Sequence, residues 1–305
     1  MRIFLTGATG ALGRRVVPLL LDAGHQVTGV ARSPEKRQLL ERQGARAVQL
    51  DLFDVRAVRP AVKDADTVVN LATAVPPGIR AFLPWPWHEM ARIRRYVSRN
   101  LVDAALAGGA VRRIVQESFA PIYADQGDRW IDESSPVRPA RYNRTALDAE
   151  ANAERFSRAG RAGVVLRFGL LYGPGDRMTL QMLELVRRGW FPLFGRPEGY
   201  TSWLHHQDAA TAVVAALEVP AGIYNAAENE PMRRRDLANG IAKLLDVAPP
   251  RLLPGWATLL GGVVGETLAR SLRVSNRKLR AGGGWAPRYS TILEGVAAIL
   301  NQAET

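Results

Sequence analysis

Short apolar runs alternate with longer amphipathic stretches through the first half of the chain. The runs at residues 2–6, 26–31, 47–50, 67–71, 113–116 and 164–168 predict strands. The stretches at 12–23, 34–43, 55–62, 88–107 and 142–160 carry helical periodicity, and three of them stop at Gly24, Gly44 and the pair Gly108-Gly109. Strand and helix in strict alternation mark a parallel sheet with crossover helices, so the expected fold is α/β, a doubly wound Rossmann sheet. After Gly173-Pro174-Gly175 the rhythm changes to helices, aromatics and proline-rich joints. A helix over 207–217, rich in alanine, is expected to pack closely on the core, and residues 228–287 read as helical. The expected organisation is a core of residues 1–172 to which 202–226 return, and a smaller, mostly helical substrate lobe of 173–201 and 227–305. Residues 76–87, with four prolines and two tryptophans, predict an irregular loop leaving the C-terminal end of the fourth strand, either over the site or packed on a neighbour.

Composition narrows the chemistry. The 305 residues contain no cysteine, which excludes disulfides, thiolate nucleophiles and cysteine-ligated metals. The longest approach to a membrane span, residues 256–272, is broken by Glu266 and Arg270. The first strand begins at residue 2 with no charged leader ahead of it, so a cytoplasmic protein is expected. The net charge is +12, almost all of it arginine, with lysine only at positions 36, 63, 243 and 278. No basic run interleaved with aromatics accompanies that charge, so neither a nucleic-acid nor a membrane partner is expected. Affinity for anionic small molecules is the simpler consequence.

The strongest local signal is Thr6-Gly7-Ala8-Thr9-Gly10-Ala11-Leu12-Gly13 between the first strand and the first helix. Gly7 suits a tight turn, Gly10 lets backbone approach a pyrophosphate, and Gly13 lets helix and strand pack closely. Thr9, Ala11 and Leu12 belong to the same cofactor-binding turn, where the helix N-terminus offers free N–H groups to phosphate. At the end of the second strand, where an NAD site carries an acidic residue for the ribose hydroxyls, the chain has Ala31 and then Arg32. A missing acid and a present cation favour a 2′-phosphate, so NADP is expected over NAD.

With these residues the chain resembles the extended (atypical) short-chain dehydrogenase/reductase superfamily, in its NAD-dependent epimerase/dehydratase family. Asp51-Leu52 resembles the family's adenine contact, and Asn70-Leu71-Ala72-Thr73 its fourth-strand motif beside the cofactor. Arg167 to Gly175 matches the signature RxxxxYGPG. Trp203-Leu204-His205-His206-Gln207-Asp208, residues 275–278 and residues 284–287 resemble later family segments. The resemblance implies a cofactor site at Gly7, Thr9, Gly10, Ala11, Leu12, Gly13, Arg32, Asp51, Leu52, Leu71, Ala72 and Tyr142. It implies a small-molecule substrate held between core and lobe. It also implies a homodimer through the helices at 88–107 and 142–160.

The family's catalytic pair is incomplete. Its Tyr is a general acid/base, tuned by a Lys one helical turn later, because a phenol near pKa ~10 is a poor base without a neighbouring cation. Tyr142 fits the Tyr, but the Lys position holds Ala146. Arg138, Arg141 and Arg144 are the nearby cations. The family's Ser, counted back from Tyr123, falls on Phe119, with Ser118 one residue earlier and Glu117 a carboxyl near the mouth of the site. Catalytic candidates are therefore Tyr142, Ser118 and Glu117. No motif suggests a metal: His205-His206 with Asp208 lacks ligand spacing. Aromatics at 85–88 and Trp190-Phe191 suggest a fairly apolar pocket. Two readings stand. One is an NADP-binding reductase, epimerase or dehydratase acting on a small hydroxyl or carbonyl compound. The other is a redox-inactive NADP-binding sensor or scaffold.

Overall fold

The computed structural model describes residues 1–76, 80–81, 83 and 85–303. Seven parallel strands form the central sheet: β1 (Arg2–Thr6), β2 (Gln26–Val30), β3 (Arg46–Val48), β4 (Thr67–Asn70), β5 (Arg113–Phe119), β6 (Ala162–Phe168) and β7 (Gly222–Ala226). Their spatial order is β7-β6-β5-β4-β1-β2-β3. The order reverses at β1, so the crevice at the C-terminal ends of β1 and β4 is the topological switch point. Strands β1, β4 and β6 are apolar on both faces because helices cover both faces.

Helices α1 (Gly13–Asp22), α2 (Pro34–Arg42), α3 (Val55–Val62) and α5 (Ala146–Arg158) pack on this sheet, with α4 spanning 88–108. One face buries Val16, Val17 and Leu20 of α1 against Leu5, Val69 and Val115. The small residues of α7 (His206–Ala215), Ala209, Ala210 and Ala212, join that core, as their size predicts. The opposite face buries Val58 and Val62 of α3, Val97 and Leu101 of α4 and Phe156 of α5 against Phe4, Val68 and Ile114.

A separate apolar cluster joins Met182, Leu183 and Val186 of α6 (Arg177–Arg187), Leu237 and Ile241 of α8 (Arg234–Leu244) and Ile292 and Val296 of α12 (Ile292–Ala303). Between α8 and α12 lie α9 (Ala257–Leu260), α10 (Gly262–Ala269) and α11 (Arg277–Gly283). The stretch read as helical also contributes short strands. Met232–Arg233 pairs with Tyr200–Thr201, Arg251–Leu252 with Trp190–Phe191, and Arg273–Val274 with Trp130–Ile131.

Several elements differ from expectation. Strand β7 was not anticipated, because Gly-Ile-Tyr-Asn-Ala offers only two strand-favouring residues. Strand β5 runs to Phe119, three residues further than its apolar run, since polar side chains occupy its end. Helix α4 is α-helical at His88–Arg92, opens into a π turn at Ile93–Val97 and resumes at Ser98–Gly108. Helix α5 begins at Ala146, so Tyr142 precedes it rather than standing on it. Of the loop at 76–87, residues 77–79, 82 and 84 lie outside the described residues; Trp85–Trp87 form a 3-10 turn that leads into α4.

Candidate active site

The three glycines after β1 differ in what confines them. Gly7 adopts a left-handed φ of 69°, and a Cβ there would lie 2.3 Å from the Leu71 carbonyl oxygen. A Cβ on Gly13 would lie 2.1 Å from the Gly7 oxygen, so the start of α1 sits directly on the turn. Gly10 is different: the one atom near its missing Cβ is the Gly7 oxygen at 3.2 Å. Packing explains Gly7 and Gly13, while Gly10 is exposed on the turn beside the free N–H groups of α1, where a Cβ would crowd only the Gly7 oxygen. That is the cradle a pyrophosphate requires, and it fits a dinucleotide.

Polar side chains stitch the floor of this cradle. The Thr6 hydroxyl donates to Asn70 Oδ1 at 2.6 Å, and Asn70 Nδ2 donates to Gln116 Oε1 at 2.8 Å. The Asn70 carboxamide oxygen also accepts from the Ala72 N–H, which fixes the chain where Leu71 and Ala72 leave β4. At the far end Arg32 is exposed just beyond β2, and Ser33 is committed to capping α2 by accepting from the Lys36 N–H. Asp51 is exposed and accepts from the Phe53 N–H at 2.9 Å, while Asn100 holds the Leu52 carbonyl at 3.0 Å. Thr9 and Ala11 sit on the turn at partial or full exposure, and Leu12 is buried beneath it.

Tyr142 lies in a wound turn ahead of α5, under the loop that follows β4. Its ring meets Trp87 at 4.6 Å between centroids, and Met90 and Val264 complete the apolar cluster around it. Burial pushes the phenol up. The neighbouring Thr267 hydroxyl and the guanidiniums of Arg270 and Arg94 pull in the opposite direction without cancelling that effect.

The end of β5 divides its side chains between two surroundings. Ser118 is fully buried and donates to Glu150 Oε1 at 2.5 Å, while Arg167 holds the same carboxylate through Nε at 2.8 Å and Nη2 at 2.7 Å. The Arg167 guanidinium stacks on Tyr123, whose hydroxyl donates to Asn225. Ser118 is thus part of the α5 interface and does not serve the cleft, a correction to its candidacy. Glu117 and Phe119 face Arg94 instead: Arg94 Nη2 donates to Glu117 Oε1 at 3.1 Å, and its guanidinium lies 5.9 Å from the Phe119 ring. Arg94 is 4% exposed and Glu117 12%, yet Arg94 Nε and Glu117 Oε2 have no partner among the described residues. Glu117 therefore sits at the site as half of an ion pair. His205 caps α7 by accepting from the Gln207 N–H, and no cluster of three or more metal-binding side chains exists among the described residues.

The model of the NAD-dependent epimerase/dehydratase family matches residues 3–227, the whole of the sheet with its glycine turn. The chain belongs to this family. Family members with closely similar length include a 3-diazoavenalumate denitrifying reductase from a Streptomyces species, 33% identical over 307 residues that cover 97% of this chain and 99% of that one. A 2-alkyl-3-oxoalkanoate reductase from Shewanella oneidensis is 27% identical over 90% of this chain and 73% of its own. Among solved structures, the human epimerase family protein SDR39U1 with NADPH superposes with a TM-score of 0.78 at 21% identity, covering 99% of each chain. The family match supports a nicotinamide dinucleotide as the cofactor.

Ala146, expected from the sequence to stand at the family's Lys position, is buried at the N-terminus of α5. Arg141 and Arg144 are exposed to solvent, and Arg138 is exposed as well. The cations that do act on Tyr142 are Arg94 and Arg270, which the sequence reading missed. A signal for Arg94 exists: it is an arginine inside the buried stripe Met90, Ile93, Val97 and Leu101 of α4. The π turn at Ile93–Val97 widens the helix at this point, a local feature often found at functional sites. Nothing local to Arg270 marks it, since α10 and the turn after it reach Tyr142 only through the fold.

Proposed function

We propose that the chain is an NADP-dependent reductase of small carbonyl compounds, with Tyr142 as the proton donor. The observation that carries this reading is a buried phenol, packed against Trp87, on which the charges of Arg270 and Arg94 act. When bound, the reduced nicotinamide supplies a hydride to the carbonyl carbon. The phenol, protonated at neutral pH because burial raises it, donates its proton to the carbonyl oxygen. Arg94 and Arg270 stabilise the phenolate that remains until water restores the proton, the part that Lys plays elsewhere in the family. Trp87 and Val264 exclude water from the ring. Asn70, Thr6 and Gln116 hold the strand ends that border the cofactor in fixed register.

The sign of the pH dependence follows. A donor whose pKa lies above the ordinary phenol value of ~10 stays protonated through neutrality. Turnover limited by this step is expected to stay level from pH 6 to about 9 and to fall only as the phenol ionises. A fall beginning near neutrality would assign the proton to another group.

Arg32 supports NADP, because no acid stands at the end of β2 and the exposed guanidinium is free to meet a 2′-phosphate. Charge-assisted hydrogen bonds contribute about 1.5–3 kcal/mol, so Arg32→Ala is expected to weaken NADPH binding roughly 10- to 100-fold and to leave NADH binding unchanged. Calorimetric titration of both dinucleotides checks this; tighter NADH binding to the unaltered protein would overturn the preference.

A second reading, an NADP sensor without turnover, is favoured by Ala146 and Phe119, which stand where the family places its Lys and Ser. Stopped-flow absorbance of bound NADPH against a panel of small aldehydes and ketones separates the two. Oxidation coupled to carbonyl loss supports the reductase; tight binding with no oxidation across the panel supports the sensor.

A further inference from the structure

A cavity of about 210 Å³ opens between the first turn of α1, the start of α7 and α12. Arg15, His205, Gln207, Arg288 and Tyr289 line it, and Ile299 gives it an apolar side. Gly10, Arg32, Asp51 and Tyr142 do not, so the cavity stands apart from the dinucleotide turn and from the phenol. Pockets that enclose drug-sized ligands run to roughly 300–1,000 Å³, so this one suits a smaller molecule. Among the described residues no Asp or Glu lines it.

Its two guanidiniums come from opposite ends of the chain. Arg15 is half-buried and donates through Nη1 to the Ala11 carbonyl at 2.6 Å and through Nη2 to the Pro174 carbonyl at 3.2 Å. Those bonds fix its place and use two of its five N–H groups. Arg288 is exposed, and its guanidinium lies 5.6 Å from the Tyr289 ring centroid. Neither arginine forms an ion pair among the described residues. Two acids feel their charges from behind the wall, Asp176 that of Arg15 and Asp208 that of Arg288. Asp176 Oδ2 is committed to the Thr179 N–H at 2.9 Å and hydroxyl at 3.0 Å. The oxygens of Asp208 accept from the backbone N–H groups of Arg288 at 2.8 Å and Tyr289 at 3.3 Å. Arg14 adds a like charge beside Arg15. The balance is felt at His205. Burial pushes its imidazole down to about 4, and His206, Arg15 and Arg288 push the same way with no carboxylate opposing them. His205 is therefore neutral at pH 7. Its Nδ1 accepts from the Gln207 N–H, so Nε2 carries the proton and adds a donor to the lining.

A small cavity with a positive balance and N–H donors from three side chains suits a tetrahedral oxyanion, which accepts several hydrogen bonds at once. We infer that this cavity binds a phosphate group, free or on a small ester, gripped by Arg15 and Arg288 with His205 as a further donor. The inference is independent of the reductase reading, because the site holds neither the cofactor turn nor Tyr142. Occupancy would fasten the chain entering α12 to the first turn of α1 and, through the Ala11 carbonyl, to the glycine turn. A ligand that binds the folded chain alone raises its stability, so phosphate is expected to raise the melting temperature. Arginines that were merely solvated would confer no such effect.

The test titrates the full chain, with NADP present, with inorganic phosphate, glycerol 3-phosphate and, as the neutral control, glycerol, in chloride buffer of matched ionic strength. Calorimetry reads affinity and thermal unfolding reads the melting temperature. Both phosphates are expected to bind and to raise the melting temperature, with glycerol silent. Tighter glycerol 3-phosphate identifies an ester as the occupant, and equal or tighter inorganic phosphate identifies the free ion; either upholds the site. Arg288→Gln should weaken binding about tenfold or more and remove the rise in melting temperature, with Arg288→Lys between the two. Arg15→Gln should do the same, so a single poorly folding variant does not blunt the test. Arg32→Ala should leave phosphate binding unchanged. The site is overturned if phosphate adds nothing to chloride, or if binding survives both Arg288→Gln and Arg15→Gln. It is also overturned if Arg32→Ala weakens binding and Arg288→Gln does not, since the phosphate then lies in the dinucleotide site.

Discussion

Tyr142→Phe is expected to lower turnover of a carbonyl substrate by about 10²- to 10⁴-fold, the range for loss of a positioned general acid. The substitution removes one hydroxyl and keeps the ring, so the contacts with Trp87, Met90 and Val264 persist. The proposed pyrophosphate cradle is the turn of Gly7, Gly10 and Gly13, so NADPH affinity is expected to change little. A large loss in kcat with an unchanged dissociation constant is therefore the signature of a proton donor. Unchanged kcat would remove Tyr142 from the chemistry and assign the proton to another group. Arg94→Met makes a useful companion. It withdraws one of the two cations beside the phenol and leaves Glu117, largely buried, without its partner. Its pH profile should show the apparent pKa of the donor moving upward, whereas a purely structural Arg94 would leave the profile in place and lower stability alone.

The second large effect lies away from the site. Glu150 and Arg167 are 8% and 5% exposed and meet through two hydrogen bonds, and Ser118 adds a third to the same carboxylate. Glu150→Ala would leave a guanidinium uncompensated between α5, β5 and β6 and would orphan the Ser118 hydroxyl. Breaking a buried pair from one side costs about 3–5 kcal/mol. Urea unfolding should show this as a lower midpoint at constant slope. The double change Glu150→Leu with Arg167→Met should recover most of the loss, because an apolar replacement removes both desolvated charges together. If the single change were neutral, the arginine of the RxxxxYGPG signature would need a role other than this anchor.

Much of the core was readable because its elements are specified locally. The glycine turn has a strand before it and a helix after it, and each glycine answers to an atom within a few residues or across one strand. The reading faltered where conformation is decided at longer range. The turn holding Tyr142 winds through three-residue hydrogen bonds, Asn143 N–H to Ala140, Ala146 N–H to Asn143 and Leu147 N–H to Arg144. Such a winding spaces apolar residues much as an α-helix does, so periodicity merged it with α5. Ser118 and Phe119 are adjacent in a strand, and their alternation was readable, but which face meets the cleft depended on Glu150, one element later. The cations that act on Tyr142 come from α4 and from the end of α10, and no spacing rule links either to Tyr142.

The place of β7 in the chain has a consequence for how the protein is made and how it fails. Residues 222–226 complete the sheet by pairing alongside β6 from Gly222↔Val164 to Ala226↔Phe168, and they follow the whole of α6 and α7. A nascent or proteolysed chain that ends after β6 would display an apolar strand with an open row of N–H and carbonyl groups, a template for another chain. The nucleotide-binding half is thus expected to aggregate when excised at residue 172 and to become monodisperse only when extended beyond residue 226. Release from the ribosome before that point would be the stage at which a chaperone matters most.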